Sequence, residues 1–380
     1  MKSKIKLVIV ADYPIGGKQI DGGVQAVSYY IVSGLRRVPE IDLTILTFRT
    51  DVDAPQLVKD GDIDVHILPR ARRANNVTFY RRDLTTIRNC LAQIKPDLVH
   101  AQDASVEGYL VAKSGYPSVV TFHGMISEDA KYMSRLIDKL RFMFIAWVAE
   151  RYCVKYPGNK ILISPYVQRH YGDRLKGRSE HIPNPIKREF FEVESISQPG
   201  RILYAGKIIR RKGIVDLVKA LGDVDPSLEF KLVLAGAQDD QIYIDEINKT
   251  ISECKLEGRV EYLGLLNEAQ VLEEFAKASI LALPSYQETA PMVVQQAMAT
   301  HTAVLATEIC GVPDQLDSGN CGLMFQPGDY KACARHLTKL LSEPDFTKQL
   351  TDKAFVKASE HYHVDKVVEK TVNFYKQILG

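Results

Sequence analysis

The chain has few features that would tie it to a disulfide framework, a metal ribbon or a bilayer. Its six cysteines (Cys90, Cys153, Cys254, Cys310, Cys321, Cys333) are scattered over 380 residues with no CxxC spacing. That excludes a zinc ribbon and a disulfide scaffold, and it suits a reducing compartment. The longest apolar run, Phe142 to Ala149, falls far short of the roughly 20 residues of a membrane span. The start carries basic charge, but its apolar run ends at Asp12-Tyr13-Pro14, which predicts a first β-strand and not a secretory segment. These absences together predict a cytoplasmic protein. No G-x-G-x-x-G follows a strand and no Walker A loop is present, which argues against a Rossmann dehydrogenase and a P-loop NTPase. There is no short-period repeat and no low-complexity tract. His361-Tyr362-His363 could suggest a metal pair, but helical residues two apart face different ways and no third ligand is evident, so it is read as surface.

What is present is an alternation. Short apolar runs (Leu7–Val10, Leu43–Leu46, Val65–Ile67, Leu98–His100, Val119–Phe122, Lys160–Ile163, His181–Ile182) alternate with amphipathic stretches such as Val24–Arg37 and Leu84–Ile94. After a polar stretch near Glu192–Gly200 the pattern restarts with Ile202–Ala205, Lys231–Ala235, Val260–Leu263, Ile280–Leu283 and Ala303–Ala306. Helical patterns at Gly213–Leu221, Asp245–Cys254, Glu268–Ala276 and Met292–Thr300 lie between these runs. Such β-α alternation predicts parallel sheets covered by helices on both faces. The fold class is α/β with two Rossmann-like doubly wound domains, residues 1–189 and 190–364, facing across a cleft. The net charge of +2 hides an asymmetry: residues 1–190 hold about 29 Lys+Arg against about 20 Asp+Glu, and the remainder about 20 against about 27. A basic first half could face an anionic substrate or membrane, or could simply differ in surface chemistry. The tail from Asp365 to Leu379 has a helical apolar face that could lie on either domain.

The most informative segment is Pro284-Ser285-Tyr286-Gln287-Glu288-Thr289-Ala290-Pro291-Met292, running into Val293 and Gln296. An apolar strand breaks at Pro284, a carboxylate sits in the loop, and a helix is expected to start at Pro291, where a missing N–H costs nothing. Amides at a helix start suit a phosphate. A hydroxyl-binding carboxylate next to an anion cradle suggests a sugar nucleotide. Gly206-Lys207-Ile208-Ile209-Arg210-Arg211-Lys212-Gly213 follows a strand and opens a helix, so Lys207 and Lys212 can reach neighbouring phosphates. Taken alone it is as easily a solvated basic turn. Gly22-Gly23 before the helix at Val24 lets a ligand approach the backbone, or is simply a flexible loop. His123 ends a strand before Gly124, and a lone histidine is more often structural than catalytic. His100 and Asp103 close another strand. Lys131–Tyr156 is amphipathic and rich in apolar and basic residues, with Arg70, Arg72, Arg73, Arg81 and Arg82 earlier in the sequence. It is a candidate peripheral contact on the inner face of a membrane, with a helix packed on the sheet as the plainer alternative.

In order and spacing these segments resemble the retaining GT-B-fold glycosyltransferases of family 4 (glycosyl transferases group 1) over nearly the whole chain. The resemblance rests on Gly22-Gly23-Val24, Pro96–His100, Phe122-His123-Gly124, Ile182-Pro183-Asn184, Gly206–Gly213, Val260–Gly264, Pro284-Ser285…Glu288, Gly311-Val312-Pro313-Asp314 and Gly319–Asp329. It implies a first domain that binds the acceptor, a second that binds the nucleotide sugar, and a C-terminal helix, 365–380, that packs back on the first. By position it implies that Lys207 and Lys212, with Gly23 and the amides at Met292 and Val293, meet the donor diphosphate. Glu288, with Thr289 and Ala290, would hold the donor sugar; Leu265 would meet the base; His123 would lie on the sugar and acceptor side as a catalytic residue beside Glu288. The family's second glutamate is Gln296 here, which keeps an acceptor but loses the charge toward the ribose. Lys207 stands where arginine is usual. Thr289 replaces a common glycine, and Asp314 replaces a usual glutamate.

The implied reaction is transfer of a hexosyl-type sugar from a UDP- or GDP-linked donor to an acceptor hydroxyl with retention. The acceptor would be a saccharide or lipid-linked saccharide of cell-surface polysaccharide synthesis. No cofactor, metal or nucleic-acid partner is expected. A nucleotide-sugar epimerase and a nucleotide-sugar binding protein without turnover stand as the alternatives.

Overall fold

The structure, a computed structural model, describes residues 4–17, 20, 22–71, 78–133 and 135–380. They form two compact units, residues 1–185 with 364–380, and residues 186–363. Arg72 and Arg73 lie outside the described residues.

The first unit is built on eight strands: β1 Ile5–Val10, β2 Ile41–Arg49, β3 Gln56–Asp60, β4 Ile63–Pro69, β5 Leu98–Ala101, β6 Ser118–Phe122, β7 Asn159–Leu162 and β8 Ser179–His181. Their order is β3-β4-β2-β1-β5-β6-β7-β8. All neighbours are parallel except β3 and β4. Side chains alternate across a strand, and here both faces are covered. Val8, Val10, Val99, Val120 and Phe122 enter one apolar cluster with Ile87, Leu91 and Leu110. Leu7, Ile9, Leu98, Val119 and Ile161 enter another with Ile31, Leu35, Val368 and Tyr375. Double burial is why these strands read as mostly apolar runs and do not alternate strictly. The helix Val364–Leu379 belongs to this unit. It packs where Gly34 leaves room: a Cβ there would lie 2.4 Å from Val368 Cγ2.

The second unit holds β9 Arg201–Ala205, β10 Lys231–Ala235, β11 Val260–Gly264, β12 Ile280–Leu283, β13 Ala303–Thr307 and β14 Leu323–Phe325. The order β11-β10-β9-β12-β13-β14 is parallel throughout. Counted within the unit this is 3-2-1-4-5-6, the doubly wound order, and it reverses between β9 and β12. Ligands of such sheets bind beyond the strand ends at that reversal.

Several boundaries differ from expectation. Pro291 is not the first helical residue; it precedes the helix Met292–Ala299 with an extended ψ of 123°. The helix expected from Val24 begins at Gly23. The basic loop does not open its helix directly: a 3-10 turn, Arg210–Lys212, precedes the helix Ile214–Gly222. His361 closes a helix, whereas His363 lies beyond it, in a bridge to Ile186. Lys131–Tyr156 is broken into the helix Leu136–Ile145, a wide π-turn Ala146–Glu150 and a short helix Arg151–Lys155.

Candidate active site

The second-unit site is built where the sheet order reverses. After β9, Tyr204 Oη donates to the Lys207 carbonyl at 2.8 Å and the Ile208 amide to the Ala237 carbonyl at 2.9 Å. Ile208 is fully buried, so the loop is pinned at its middle while Lys207 is exposed. Gly213 then adopts φ 68°, and a Cβ there would lie 2.1 Å from the Pro284 carbonyl oxygen. Only glycine tolerates that approach with that backbone. It lets the loop after β9 lie directly against the loop after β12.

The two loops are joined along their length. The Tyr286 amide donates to the Arg211 carbonyl at 2.8 Å. Arg211 Nη1 donates to the Gln287 carbonyl at 3.0 Å and to its side-chain oxygen at 2.7 Å. Tyr286 Oη donates to Asp216 at 2.5 Å. At the centre Lys212 Nζ pairs with Glu288 Oε1, and Ser285 Oγ donates to the same carboxylate oxygen at 2.8 Å. The side chains of Lys212 and Glu288 are 15% and 10% exposed. A charge pair this dry can exchange partners for a ligand that brings its own charge and hydroxyls, because each group is already stripped of most of its water.

Thr289, Ala290, Met292 and Gln296 are all buried beside this pair in sequence, and Val293 is partly buried. The first-turn amides of a helix have no partner four residues back, and those of Met292 and Val293 fall in that turn. Leu265 stands on the loop after β11 and is exposed. The Gly264 carbonyl before it accepts from the Gly236 amide at 2.7 Å. The structure thus brings Lys212 and Glu288 together, with Lys207 on the same pinned loop.

The first unit carries its own polar cluster after β5 and β6. His123 is buried, with Nδ1 3.1 Å from Asn184 Oδ1 and Nε2 3.2 Å from Gln102 Oε1. A neutral ring donates through one nitrogen only, and turning either carboxamide by half a rotation presents its NH₂ to the other. Burial pushes the His123 imidazole down to about 4, against an upward pull from Asn184. His100 is held between Tyr375 Oη at 2.5 Å and Thr121 Oγ1 at 2.6 Å, and burial, with His123 nearby, pushes it down to about 3. His100 is therefore a core residue that ties the last helix to the sheet. Burial also raises the partly exposed Asp103 to about 7. Gly23 is exposed at the start of its helix, after Gly22 at φ 97°.

These two imidazoles are neutral at physiological pH. In an NMR titration their ring protons are expected to hold their shifts between about pH 8 and about pH 5, where an unperturbed imidazole titrates near 6.5. A midpoint near 6.5 for either ring would contradict the burial described. Below about 6.5 the unfolded chain binds protons that the folded rings refuse, so each ring's contribution is lost as pH falls, by about 1.4 kcal/mol per unit.

Ser285, Arg211, Gln102 and Asn184 are the polar partners that sequence reasoning did not single out. Ser285, Arg211 and Asn184 lie inside motifs whose sequence alone does not rank their members. Gln102 carried only a faint signal, a polar residue directly after a buried strand.

A doubly wound parallel sheet with a cation, a carboxylate and a helix start at its reversal has the arrangement at which sheets of this class receive phosphate-bearing ligands. Comparison with known proteins narrows the class. The model of Glycosyltransferase Family 4 matches residues 21–190, and that of Glycosyl transferases group 1 matches residues 186–357. The chain belongs to the GT-B glycosyltransferases of this group. It is 23% identical over 331 residues to an uncharacterized glycosyltransferase of Methanocaldococcus jannaschii, covering 86% of this chain and 88% of that one. It is 23% identical over 400 residues to the alpha-maltose-1-phosphate synthase of Mycolicibacterium smegmatis, covering 98% of each. Among solved structures it is similar to sucrose-phosphate synthase from Thermosynechococcus elongatus, with a TM-score of 0.79, 18% identity and 99% of each chain covered. It is similar also to Anabaena HepE in complex with UDP and glucose, with a TM-score of 0.74, 17% identity, and 98% of this chain and 99% of that one covered.

Proposed function

We propose that the protein transfers a sugar from a nucleoside diphosphate sugar to an acceptor hydroxyl with retention of configuration. The observation that carries the reading is the buried Lys212–Glu288–Ser285 cluster at the second sheet's reversal point, one helix start away from the amides of Met292 and Val293. Bond breaking at the anomeric carbon sends an electron pair to the departing diphosphate. Lys212, Lys207 and the two amides meet that charge as it forms, and fixed donors need little reorganisation to do so. Glu288 accepts hydrogen bonds from the donor sugar's hydroxyls and orients it. Gln296 takes the ribose and the Leu265 backbone the base. His123, held neutral by burial, donates or accepts a hydrogen bond on the acceptor side and carries no charge there. A nucleotide-sugar donor, UDP- or GDP-linked, is the reading, and the similar protein solved with UDP and glucose supports its UDP form. The acceptor is a saccharide or a lipid-linked saccharide.

The test is a thermal-shift screen against UDP, GDP, ADP and their sugars. A ligand that binds only the folded state raises the melting temperature. One nucleotide family is expected to raise it, and the matching sugar nucleotide to give product, detected by mass, with an acceptor panel. The anomeric coupling of that product by NMR reads the stereochemistry. Donor binding with epimerised sugar and no transfer, or with no turnover on any acceptor, would sink the reading.

A further inference from the structure

The helix Leu136–Ile145 has no buried residue. Its outward stripe is Leu136, Ile137, Leu140 and Met143, continued by Trp147, and these five side chains are 51–75% exposed. At 100° per residue they fall within one arc of roughly 120°. Ile145, Val148 and Tyr152 face the other way and pack against the core. The aromatic rings of Phe79, Phe144 and Trp147 lie 6.1–6.3 Å apart, centre to centre, at one end of the stripe. Scattered exposed apolar residues are ordinary, but a contiguous stripe of this size marks a contact surface.

The charges that border the stripe are basic, and the helix's one acid, Asp138, lies on the side away from it. Lys139 and Arg141 project on its two sides, and Arg135 directly precedes it. Beside Trp147 the surface opens into a cavity of about 500 Å³ lined in part by Arg151, Lys155 and Arg174. From Lys131 to Tyr156 the chain carries six Lys+Arg against two Asp+Glu, a net of +4. One of the two acids, Glu150, is buried and already accepts from Ser127 and Tyr171. Arg70 does not belong to this surface, since it is paired with Asp83 and Glu107.

The geometry points to an anionic lipid surface as the occupant of this face, with the stripe lying in the plane of the headgroups. Long basic side chains at the borders of an apolar stripe keep their charge at headgroup level while their stems cover apolar surface. A tryptophan at the end of such a stripe suits the interface. A second copy of the chain would set one basic rim against another, which charge disfavours. Among the described residues no helix is long and apolar enough to cross a membrane, so the contact is lateral.

Trp147 is the chain's single tryptophan, so its emission reports on this face alone. With vesicles of phosphatidylcholine containing about one-third phosphatidylglycerol, the full chain is expected to co-sediment. The emission should shift to the blue and be quenched by lipids brominated along the acyl chain. Pure phosphatidylcholine should bind at least about tenfold more weakly, and raised salt should release the protein. The double variant Ile137→Glu/Leu140→Glu alters exposed positions only and should keep its circular dichroism while losing at least about tenfold in partitioning. Lys139→Glu/Arg141→Glu should remove the preference for anionic vesicles. Absence of binding to anionic vesicles would overturn the proposal. So would undiminished binding by the first variant, or a concentration-dependent dimer in sedimentation that hides Trp147. None of these readouts involves a sugar donor, so they stand or fall apart from the transferase reading.

Discussion

Glu288→Gln is expected to lower transfer by roughly 10²- to 10³-fold while nucleotide binding survives. The glutamine keeps the shape and can still accept from Ser285 and Lys212, the two groups that hold the carboxylate now. What it loses is the negative charge that strengthens hydrogen bonds from sugar hydroxyls, and with it the orientation of the anomeric carbon. Glutamine is a better test than alanine, because truncating one member of a buried pair strands the other and can cost several kcal/mol of stability. The measurement is the turnover rate with the donor selected by the nucleotide screen, with the melting temperature and nucleotide affinity taken alongside. Release of free sugar from the donor can serve where an acceptor is not in hand. Activity near that of the parent would remove Glu288 from the site.

Lys212→Gln, which removes the charge but leaves Glu288 a donor, should weaken UDP or GDP binding by roughly 10- to 100-fold, the range expected of one charge-assisted hydrogen bond formed away from water. Its side chain is nearly dry and its present partner is Glu288, so the diphosphate meets a charge already stripped of most of its water. Arg210 provides the control. It lies on the same loop but is half-exposed and pairs with Glu246 at 2.5 Å. Arg210→Ala should change affinity by no more than about twofold, as a screened surface charge does. Equal losses for the two variants would reduce the effect to net charge and reject a specific diphosphate contact. Isothermal titration with the nucleoside diphosphate separates these cases.

The strands most legible in the sequence are those buried on both faces. β12 is a continuous apolar run, and β5 and β6 depart from one only at the buried His100, Ser118 and Thr121, because helices cover each side. β3 escaped because its residues, Gln56 to Asp60, are mostly exposed and it pairs only with β4, through a hairpin whose Gly61-Asp62 turn was the one available signal. β14 is three residues long and too short to show a period. Charge was harder to read than apolarity. Arg70 looked like part of a basic surface, yet its two carboxylates come from 13 and 37 residues downstream. The loops after β9 and β12 were each legible as candidate anion sites. That Lys212 and Glu288 meet could not be read locally, because 76 residues separate them. Their pairing follows from the sheet order, which sets β9 beside β12, and from the missing side chain at Gly213.

The placement of the helix Val364–Leu379 in the first unit has a consequence for biosynthesis. Val368, Phe374 and Tyr375 are buried against β-strands made more than two hundred residues earlier. On the ribosome, the leading lobe must therefore wait with one flank uncovered until residues 364–379 emerge. The later lobe, residues 186–363, has every one of its strands in hand before then. The usual vectorial order, in which the amino-terminal lobe is finished first, is inverted here by a single returning helix.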